Sequence, residues 1–330
     1  MSKRKKFSEL SELQNTSDFE QHDLQLIIDH FAEEGIVFTN EIQFQLKLAQ
    51  TIESVTPLKV DFEVVSAAAP SPIFSGDGPF NRSQKNEKIY TDLVIEGKDG
   101  EGDIAIELKY KTTGKTAKPK DLKAYHCESL KDVNCVCYRT DRGIVPVFSQ
   151  GAADYGAYHY LEDVERLERL VGVSGREKLQ DRITYGFAGR TISKGYAIII
   201  ANDPIYWDGP SREETMSANF YCKKGAKIGG RDICWKAAVA EKDGKPFLEK
   251  MKDRKEEKLK SVTPKVFHQL SEDEQTRFIP VKLAHRYSPR WHTYPLRGDV
   301  RSFDSEGKER SLGDSHTIFR YLILEVAKTQ

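Results

Sequence analysis

The sequence predicts an α/β protein, with a central mixed β-sheet flanked by helices and an α+β elaboration at the C-terminal end. The clearest support is residues 194–201 (KGYAIIIA), a continuously apolar run that is typical of a strand covered on both faces. A helical pattern over Gln150–Val171 precedes this run. A helix that leads into a buried strand favours a βαβ crossover with parallel pairing. Beyond residue 208, short candidate strands alternate with charged stretches.

Length and composition indicate a globular protein with a heavily solvated surface. The chain has 330 residues, of which 38% are hydrophobic and 31% charged, so it can bury the core of one large domain or of two modest ones. The formal net charge is zero, and nucleic-acid binding would therefore need a local basic patch. Five unevenly spaced cysteines do not form a secreted disulfide framework. Without a signal peptide or a membrane-length apolar run, we expect a cytoplasmic protein with no membrane contact.

Two helices and a strand are predicted ahead of the candidate site. Apolar residues at helical spacing indicate a helix over Asp18–Glu34. A second helix is predicted over Glu41–Ser54, with Thr39 or Asn40 as its N-cap. Its first apolar residues alternate, so a strand start is a competing interpretation. Leu58–Val65 alternates like a strand. The predicted shared face of this strand holds Val60, Phe62 and Val64.

Two consecutive strands joined by a polar turn hold the best candidate site. They are predicted over Ile89–Ile95 and Asp103–Tyr110, where β-branched and apolar residues dominate. Successive side chains on a strand point to opposite faces, so Glu107 and Lys109 share a face. If the two strands pair as a hairpin, Asp92 lies opposite Glu107. The sequence therefore predicts two carboxylates and one ammonium on the same face of a sheet.

These three groups are suited to the hydrolysis of a phosphodiester bond. A pair of carboxylates supplies the oxygen ligands that a hard divalent cation such as Mg²⁺ prefers. A nearby lysine can orient a water molecule or offset the charge that develops in a transition state. Together they make an apparatus for metal-assisted hydrolysis. The alternative is a solvated strand face, on which such residues are common.

The predicted elements and these three residues resemble the PD-(D/E)XK, or restriction-endonuclease-like, nuclease superfamily. The resemblance covers roughly residues 40–205 and follows the order helix, strand, strand, strand, helix, strand. Those elements are Glu41–Ser54, Leu58–Val65, Ile89–Ile95, Asp103–Lys111, Gln150–Val171 and Tyr196–Ala201. The implied organisation is an N-terminal helical extension (1–38), a nuclease-like core (39–207) and a C-terminal α+β region packed on the core (208–330).

The resemblance also implies roles for particular residues. Asp92 matches the motif aspartate and Glu107 the (D/E) position, so both would ligate Mg²⁺, for which Mn²⁺ may substitute. Lys109 matches the lysine that positions the attacking water, and Glu41 is similar to an acidic residue that joins the metal site in some members. Thr91 stands where the motif has proline, a position that varies widely. Auxiliary polar positions are Gln45, Glu63 and Gln150.

The function that the resemblance implies is a metal-dependent endonuclease acting on DNA, with a role in restriction or in defence against phage. Nucleic acid, DNA above all, is then the expected partner, and a homodimer would explain double-strand cutting. Two alternatives keep the same fold without catalysis. One is a nucleic-acid-binding module, and the other is a structural or interaction protein.

The remaining predictions concern the long helix and the C-terminal region. Charged residues fill the helix Gln150–Val171 around its apolar stripe, and most are expected to form a solvated or ion-paired face. They are Asp163, Glu165, Arg166, Glu168 and Arg169.

The segment around Trp291 could stack on bases, although core packing is the favoured interpretation. The charged stretch Glu241–Arg277 is expected to be an exposed helix or linker. Further candidate strands are Phe220–Cys222, Ile233–Ala238, Pro280–Leu283 and Thr317–Val326.

Overall fold

The computed structural model describes just over half of the chain, including every element of the predicted core. The described residues are 10, 13–15, 18–68, 88–98, 101–112, 136–140, 143–147, 153–172, 177–178, 184–185, 190–210, 217–233, 281–294, 301–303, 309–310 and 318–327. The α-helices are α1 (Gln21–Glu33), α2 (Glu41–Val55), α3 (Ala153–Leu170) and α4 (Ile205–Asp208), and a 3-10 turn spans Leu13–Asn15. The strands are β1 (Val60–Ala68), β2 (Lys88–Ile95), β3 (Asp103–Lys111), β4 (Val136–Thr140), β5 (Gly143–Val147), β6 (Glu177–Lys178), β7 (Thr184–Tyr185), β8 (Ile192–Ala201), β9 (Ile228–Ile233), β10 (Val281–Tyr287), β11 (His292–Tyr294), β12 (Arg301–Phe303), β13 (Glu309–Arg310) and β14 (Phe319–Ala327).

An eight-stranded mixed sheet forms the centre of the molecule. Its strand order is β11-β14-β8-β3-β2-β1-β7-β6. β3 and β8 pair in parallel, whereas the other pairs in this sheet are antiparallel. α3 lies between β3 and β8 in the sequence, which makes the predicted crossover with parallel pairing. The prediction of an α/β protein with a mixed sheet is thereby confirmed.

Helices cover both faces of the central strands. Side chains of α1 and α2 share one apolar cluster with Ile106 and Leu108 of β3. Side chains of α3 share the other cluster with Ala105, the neighbour of Ile106 in β3. Because successive strand residues alternate between faces, both faces of β3 are buried. The apolar run in β8 has the same cause, since Ile198 packs into the α1–α2 cluster and Ile199 into the α3 cluster.

The burial of its apolar residues decides whether the segment Glu41–Val55 begins as a helix or as a strand. Its buried apolar residues Phe44, Leu48 and Ile52 are four apart, which is the spacing of one helix face. Ile42 and Leu46, which gave the stretch its strand-like alternation, are 62% and 44% exposed. The segment is therefore a helix, and its apparent alternation arises from two apolar side chains on the solvent face.

The prediction that Val60, Phe62 and Val64 share one face of β1 is wrong. Val60 belongs to the cluster under α1 and α2, whereas Val64 packs against the cluster under α3, and Phe62 is exposed. Glu63 has a backbone φ of 44°, in the left-handed region that a strand residue seldom adopts. This one residue interrupts the alternation of the strand, which explains why Val60 and Val64 contact different clusters.

The C-terminal region contributes two strands, β11 and β14, to the central sheet. The predicted closing strand corresponds to β14, and the strand predicted at Pro280–Leu283 corresponds to β10. The strand predicted at Phe220–Cys222 is wrong, because these buried residues lie in a turn. β9 reaches the stretch predicted at Ile233–Ala238 only at Ile233, and both the rest of that stretch and Glu241–Arg277 lie outside the described residues.

Trp291 packs into this region of the core. Its indole Nε1–H donates a hydrogen bond to the backbone oxygen of Cys222 over 2.6 Å, and its ring meets the edge of Trp207 at a centroid distance of 5.7 Å. These contacts favour the packing interpretation of Trp291 over base stacking. In the part of the chain that the structure describes, no helix combines the length and the apolar character that crossing a membrane requires.

Candidate functional site

The candidate site lies where β2 and β3 separate. Their antiparallel pairing ends immediately before Asp92 in β2 and Glu107 in β3, so the register places these two residues opposite each other. Beyond that point, side-chain carboxylates accept hydrogen bonds from the backbone of β3 that a paired strand would otherwise accept. The Leu108 N–H donates to Asp92 Oδ2 over 2.7 Å, and the Tyr110 N–H donates to Glu41 Oε2 over 2.9 Å. Two backbone donors that lose their ladder partners are thus satisfied by two acidic residues.

α2 delivers two side chains into this opening. The helix begins after Asn40, whose side-chain oxygen accepts a hydrogen bond from the Gln43 N–H over 2.9 Å. Glu41 is the first helical residue, and Gln45 lies one turn further along the same face. The Gln45 amide donates to the backbone oxygen of Asp92 over 2.7 Å. The first turn of α2 therefore faces the gap between the two strands.

Glu107 is buried beneath α3, with only 2% of its side chain exposed. The alternative of a solvated strand face is therefore wrong for this residue. Its Oε1 lies 3.4 Å from Nε of Arg166, but the two atoms do not form a hydrogen bond. Among the described residues, Glu107 Oε1 has no hydrogen-bond partner. A buried carboxylate oxygen is thus held near a positive charge with its lone pairs unused.

Lys109 lies on the same face of β3 and is surrounded by oxygen atoms. Its Nζ lies 2.7 Å from Asp163 Oδ2 and 3.9 Å from Glu41 Oε1, and it donates to the backbone oxygen of Leu108 over 3.1 Å. The guanidinium of Arg166 also pairs with Asp163. Asp163 therefore links the ammonium of Lys109 to the guanidinium of Arg166.

Burial shifts the pKa values of two acidic groups in this site. Burial raises the pKa of Asp92 to about 6, although Lys109 and the hydrogen bond from Leu108 act against this shift. Burial also raises the pKa of Glu107 well above its ordinary value, despite the nearby Arg166. For Lys109, burial alone would lower the pKa, but the carboxylates of Asp163 and Glu41 outweigh burial and raise it. The lysine is therefore a firmly held cation.

Asp163 and Arg166 are the members of this cluster that the sequence reasoning missed. The solvated-face alternative is wrong for Asp163, which is 3% exposed, whereas the ion-paired alternative describes it correctly. The helical spacing could have indicated that Asp163 is buried. Asp163 is three residues after Tyr160 and four before Leu167, both buried, so it lies inside the apolar stripe. A charged residue at such a position needs a buried partner.

Of the auxiliary positions, the structure brings only Gln45 to the site. Glu63 is exposed on β1, and within the described ranges no hydrogen bond or ion pair joins it to the cluster. Gln150 lies outside the described residues. We define the site cluster as the residues that are in contact here. They are Glu41, Gln45, Asp92, Glu107, Lys109, Asp163 and Arg166.

The donor chemistry of the site cluster fits a hard divalent cation. In the described ranges, no group of three or more His, Cys, Asp and Glu side chains has the arrangement of a metal site. Two positively charged side chains lie close to the carboxylates: Lys109 beside Asp163 and Arg166 beside Glu107. Glu107 nevertheless keeps an oxygen without a hydrogen-bond partner among the described residues, and burial raises the pKa values of Asp92 and Glu107 although these cations act against the shift. Carboxylate oxygens in this state are suitable ligands for Mg²⁺.

Comparison with known proteins assigns no family to the chain. No protein-family model, no curated protein and no solved structure matches it. The class of protein is therefore argued from the fold and the site cluster. These define an α/β protein with a buried set of acidic and basic side chains at a break between two strands of a mixed sheet.

Proposed function

We propose that the protein is a metal-dependent nuclease of the PD-(D/E)XK type that hydrolyses phosphodiester bonds in DNA. The observation that carries the proposal is the meeting of Asp92, Glu107 and Lys109 on one buried face of β2 and β3, with Glu41 arriving from α2. An acidic pair beside an ammonium is an arrangement suited to metal-assisted hydrolysis. The choice of DNA, and a role in restriction or in defence against phage, rest on the family resemblance.

Asp92 and Glu107 would hold Mg²⁺ or Mn²⁺, and Glu41 supplies a third carboxylate at the more exposed side of the site. The backbone oxygen of Leu108 also lies in the site, where it now accepts a hydrogen bond from Lys109. When bound, the metal would supply positive charge against the charge that develops on the phosphoryl group.

Lys109 contributes as a cation. Nearby carboxylates keep its pKa above the ordinary value, so the side chain is protonated at neutral pH and donates hydrogen bonds. An ammonium in this state can orient an attacking water and offset charge at phosphorus, but it cannot take a proton from the water. Asp163 fixes the position of the ammonium through its 2.7 Å contact. The protein's own residues thus divide into acidic ligands, one donor and one positioning carboxylate.

A second candidate function is nucleic-acid binding without cleavage. The absence of cleavage is favoured by the internal ion pairs of the site, in which Lys109 and Arg166 already pair with Asp163, whereas nucleic acid as the ligand rests on the family resemblance. A protein that had lost catalysis could retain such ion pairs for stability alone. The two functions differ in one measurable respect, since only the first requires a metal and Glu107.

The test is a cleavage assay on purified protein, using single- and double-stranded DNA and RNA with Mg²⁺, Mn²⁺ or EDTA. We expect DNA to be cut with a metal and to remain intact with EDTA. Glu107→Gln and Lys109→Ala should each lower the rate at least about 100-fold. The matched control is Glu165→Gln on α3, because Glu165 is also buried but pairs with Arg169 outside the site cluster.

Full activity in Glu107→Gln, or cleavage that survives EDTA, would overturn the proposal. Binding of nucleic acid without metal dependence, together with no cleavage of any substrate, would establish the second candidate. Equal loss of activity in Glu165→Gln and Glu107→Gln would point to a general effect on folding and would also contradict the assigned role of Glu107.

A further inference from the structure

Arg166 bridges the two most deeply buried carboxylates of the site cluster. Its guanidinium pairs with Asp163, and its Nε lies 3.4 Å from Glu107 Oε1. The side chains of Asp163 and Glu107 are 4% and 2% exposed, whereas that of Arg166 is 23% exposed. A buried carboxylate without a nearby positive charge is strongly unfavourable. Arg166 therefore partly offsets the cost of burying Glu107 as an anion.

The contact between Arg166 and Glu107 is the weaker of the two. Arg166 reaches Asp163 with a terminal nitrogen, three residues away on the same helix. The contact with Glu107 lacks hydrogen-bond geometry, and both Glu107 Oε1 and Arg166 Nε are without a hydrogen-bond partner among the described residues. Arginine has five N–H donors, so it can give up one carboxylate and keep the other. Loss of the Glu107 contact would leave Arg166 attached to Asp163.

We propose that Arg166 is a resident counter-ion of Glu107 that a divalent cation must displace in order to bind. The inference rests on the proposed function, since it assumes that Glu107 is a metal ligand. It adds that an internal cation, Arg166, already lies beside Glu107. The affinity for metal then includes the cost of moving Arg166. Two positive charges on one carboxylate repel each other, so cation and guanidinium compete.

α3 provides a matched control for this inference. Arg169 pairs with Glu165 one turn further along the helix, and the side chains of this pair are 22% and 7% exposed. The Glu165 carboxylate also accepts a hydrogen bond from the Lys282 N–H over 3.1 Å, on the side of β10. Both arginines thus neutralise a buried acidic residue on α3, but only Arg166 also contacts Glu107. Arg169→Gln removes an equivalent charge outside the site cluster.

The first experiment measures Mn²⁺ binding by isothermal titration calorimetry in the absence of nucleic acid. We expect Arg166→Gln to bind Mn²⁺ about tenfold more tightly than the wild-type protein, because one repelling charge has been removed. Arg169→Gln should bind with the wild-type affinity, and Glu107→Gln should lose binding. Unfolding temperatures provide a second readout. Arg166→Gln should be less stable than the wild type in EDTA and should gain more stability from Mn²⁺.

The second experiment is read out on the wild-type protein, and variants are used only to assign its resonances. Nuclear magnetic resonance of the arginine Nε–H groups, with Arg166 assigned through Arg166→Lys and Arg169 through Arg169→Lys, follows a titration with diamagnetic Mg²⁺. We expect the Arg166 resonance to shift in proportion to the fraction of protein with metal bound, while the Arg169 resonance stays in place.

Three results would overturn the inference. If the wild-type protein binds Mn²⁺ and Arg166→Gln binds it with equal or weaker affinity, the inference fails while the proposed metal site stands. An Arg166 resonance that does not move at saturating Mg²⁺ has the same consequence. If neither wild type nor Arg166→Gln binds Mn²⁺ at millimolar concentration, the inference and the metal dependence of the proposed function both fail.

Discussion

The stability of the metal-free protein should fall as Asp92 ionises. Burial raises the pKa of this carboxyl group from an ordinary value of 3.8 to about 6. The folded protein therefore holds the proton more tightly than the unfolded chain does. The resulting stabilisation is fully present below the unfolded pKa and is lost as the pH rises through the folded pKa. Asp92→Asn removes the ionisation, so the free energy of unfolding of the variant lacks this pH dependence.

The magnitude follows from the pKa shift of Asp92. A shift from 3.8 to about 6 corresponds to about 3 kcal/mol over the whole titration, at about 1.4 kcal/mol per pH unit. Between pH 5 and pH 8 only part of the titration takes place, and about 1.4 kcal/mol is lost. We therefore expect Asp92→Asn to gain about 1.4 kcal/mol relative to the wild type over this range.

The assay is urea denaturation followed by circular dichroism, with EDTA present, at pH 5, 6, 7 and 8. Asp208→Asn controls for the removal of an acidic group from the exposed surface. Asp92→Asn keeps an oxygen that can accept the hydrogen bond from the Leu108 N–H. The reasoning is refuted if the free energies of unfolding of Asp92→Asn and the wild type differ by a constant amount from pH 5 to pH 8. It is also refuted if the wild type becomes more stable relative to Asp92→Asn as the pH rises.

Two further predictions concern the support of α3 by β9 and β10. Gly229→Ala should destabilise the protein by at least about 2 kcal/mol in urea denaturation, because φ is 93° and a Cβ would overlap the backbone oxygen of His285. Gly225→Ala is its control, with φ at 79° and no atom within 4 Å of the added Cβ, and should cost about 1 kcal/mol. Glu168→Gln should cost about 1–3 kcal/mol in the same assay, since this carboxylate accepts hydrogen bonds from the Ala284 and His285 N–H groups and the Tyr287 hydroxyl. A loss below about 0.5 kcal/mol in Glu168→Gln would show that water replaces these contacts.

The alternation of side chains on strands explains why three of the seven residues in the site cluster could be predicted from the sequence. Period two places Glu107 and Lys109 on one face, and the antiparallel register of β2 and β3 brings Asp92 opposite Glu107. Both inferences use residues that are close in the chain. The same rule failed in β1, because it assumes regular backbone angles, and Glu63 adopts a left-handed conformation.

The two residues that were missed, Asp163 and Arg166, join the site through contacts that are distant in the sequence. Helical spacing shows that Asp163 and Arg166 share a face, but it does not show which strand residues that face meets. Asp163 contacts Lys109, which is 54 residues away, and Arg166 contacts Glu107, which is 59 residues away. The sheet register that decides these contacts is set by the pairing of β3 with β8 and by the packing of α3 across both strands.

The burial of the site cluster determines the side from which a ligand can enter. Side-chain exposure falls from 33% at Glu41 to 15% at Lys109 and 2% at Glu107. Of these three side chains, the most exposed lies at the first turn of α2 and the most buried lies beneath α3. Under the proposed function, a cation that enters beside Glu41 would meet Lys109 before Glu107, and Arg166, whose side chain is 23% exposed, lies on the α3 side of Glu107. Because α3 covers Glu107 and also brings Arg166 beside it, the charges that made this helix look like a solvated surface include one that partly offsets the burial of this acid.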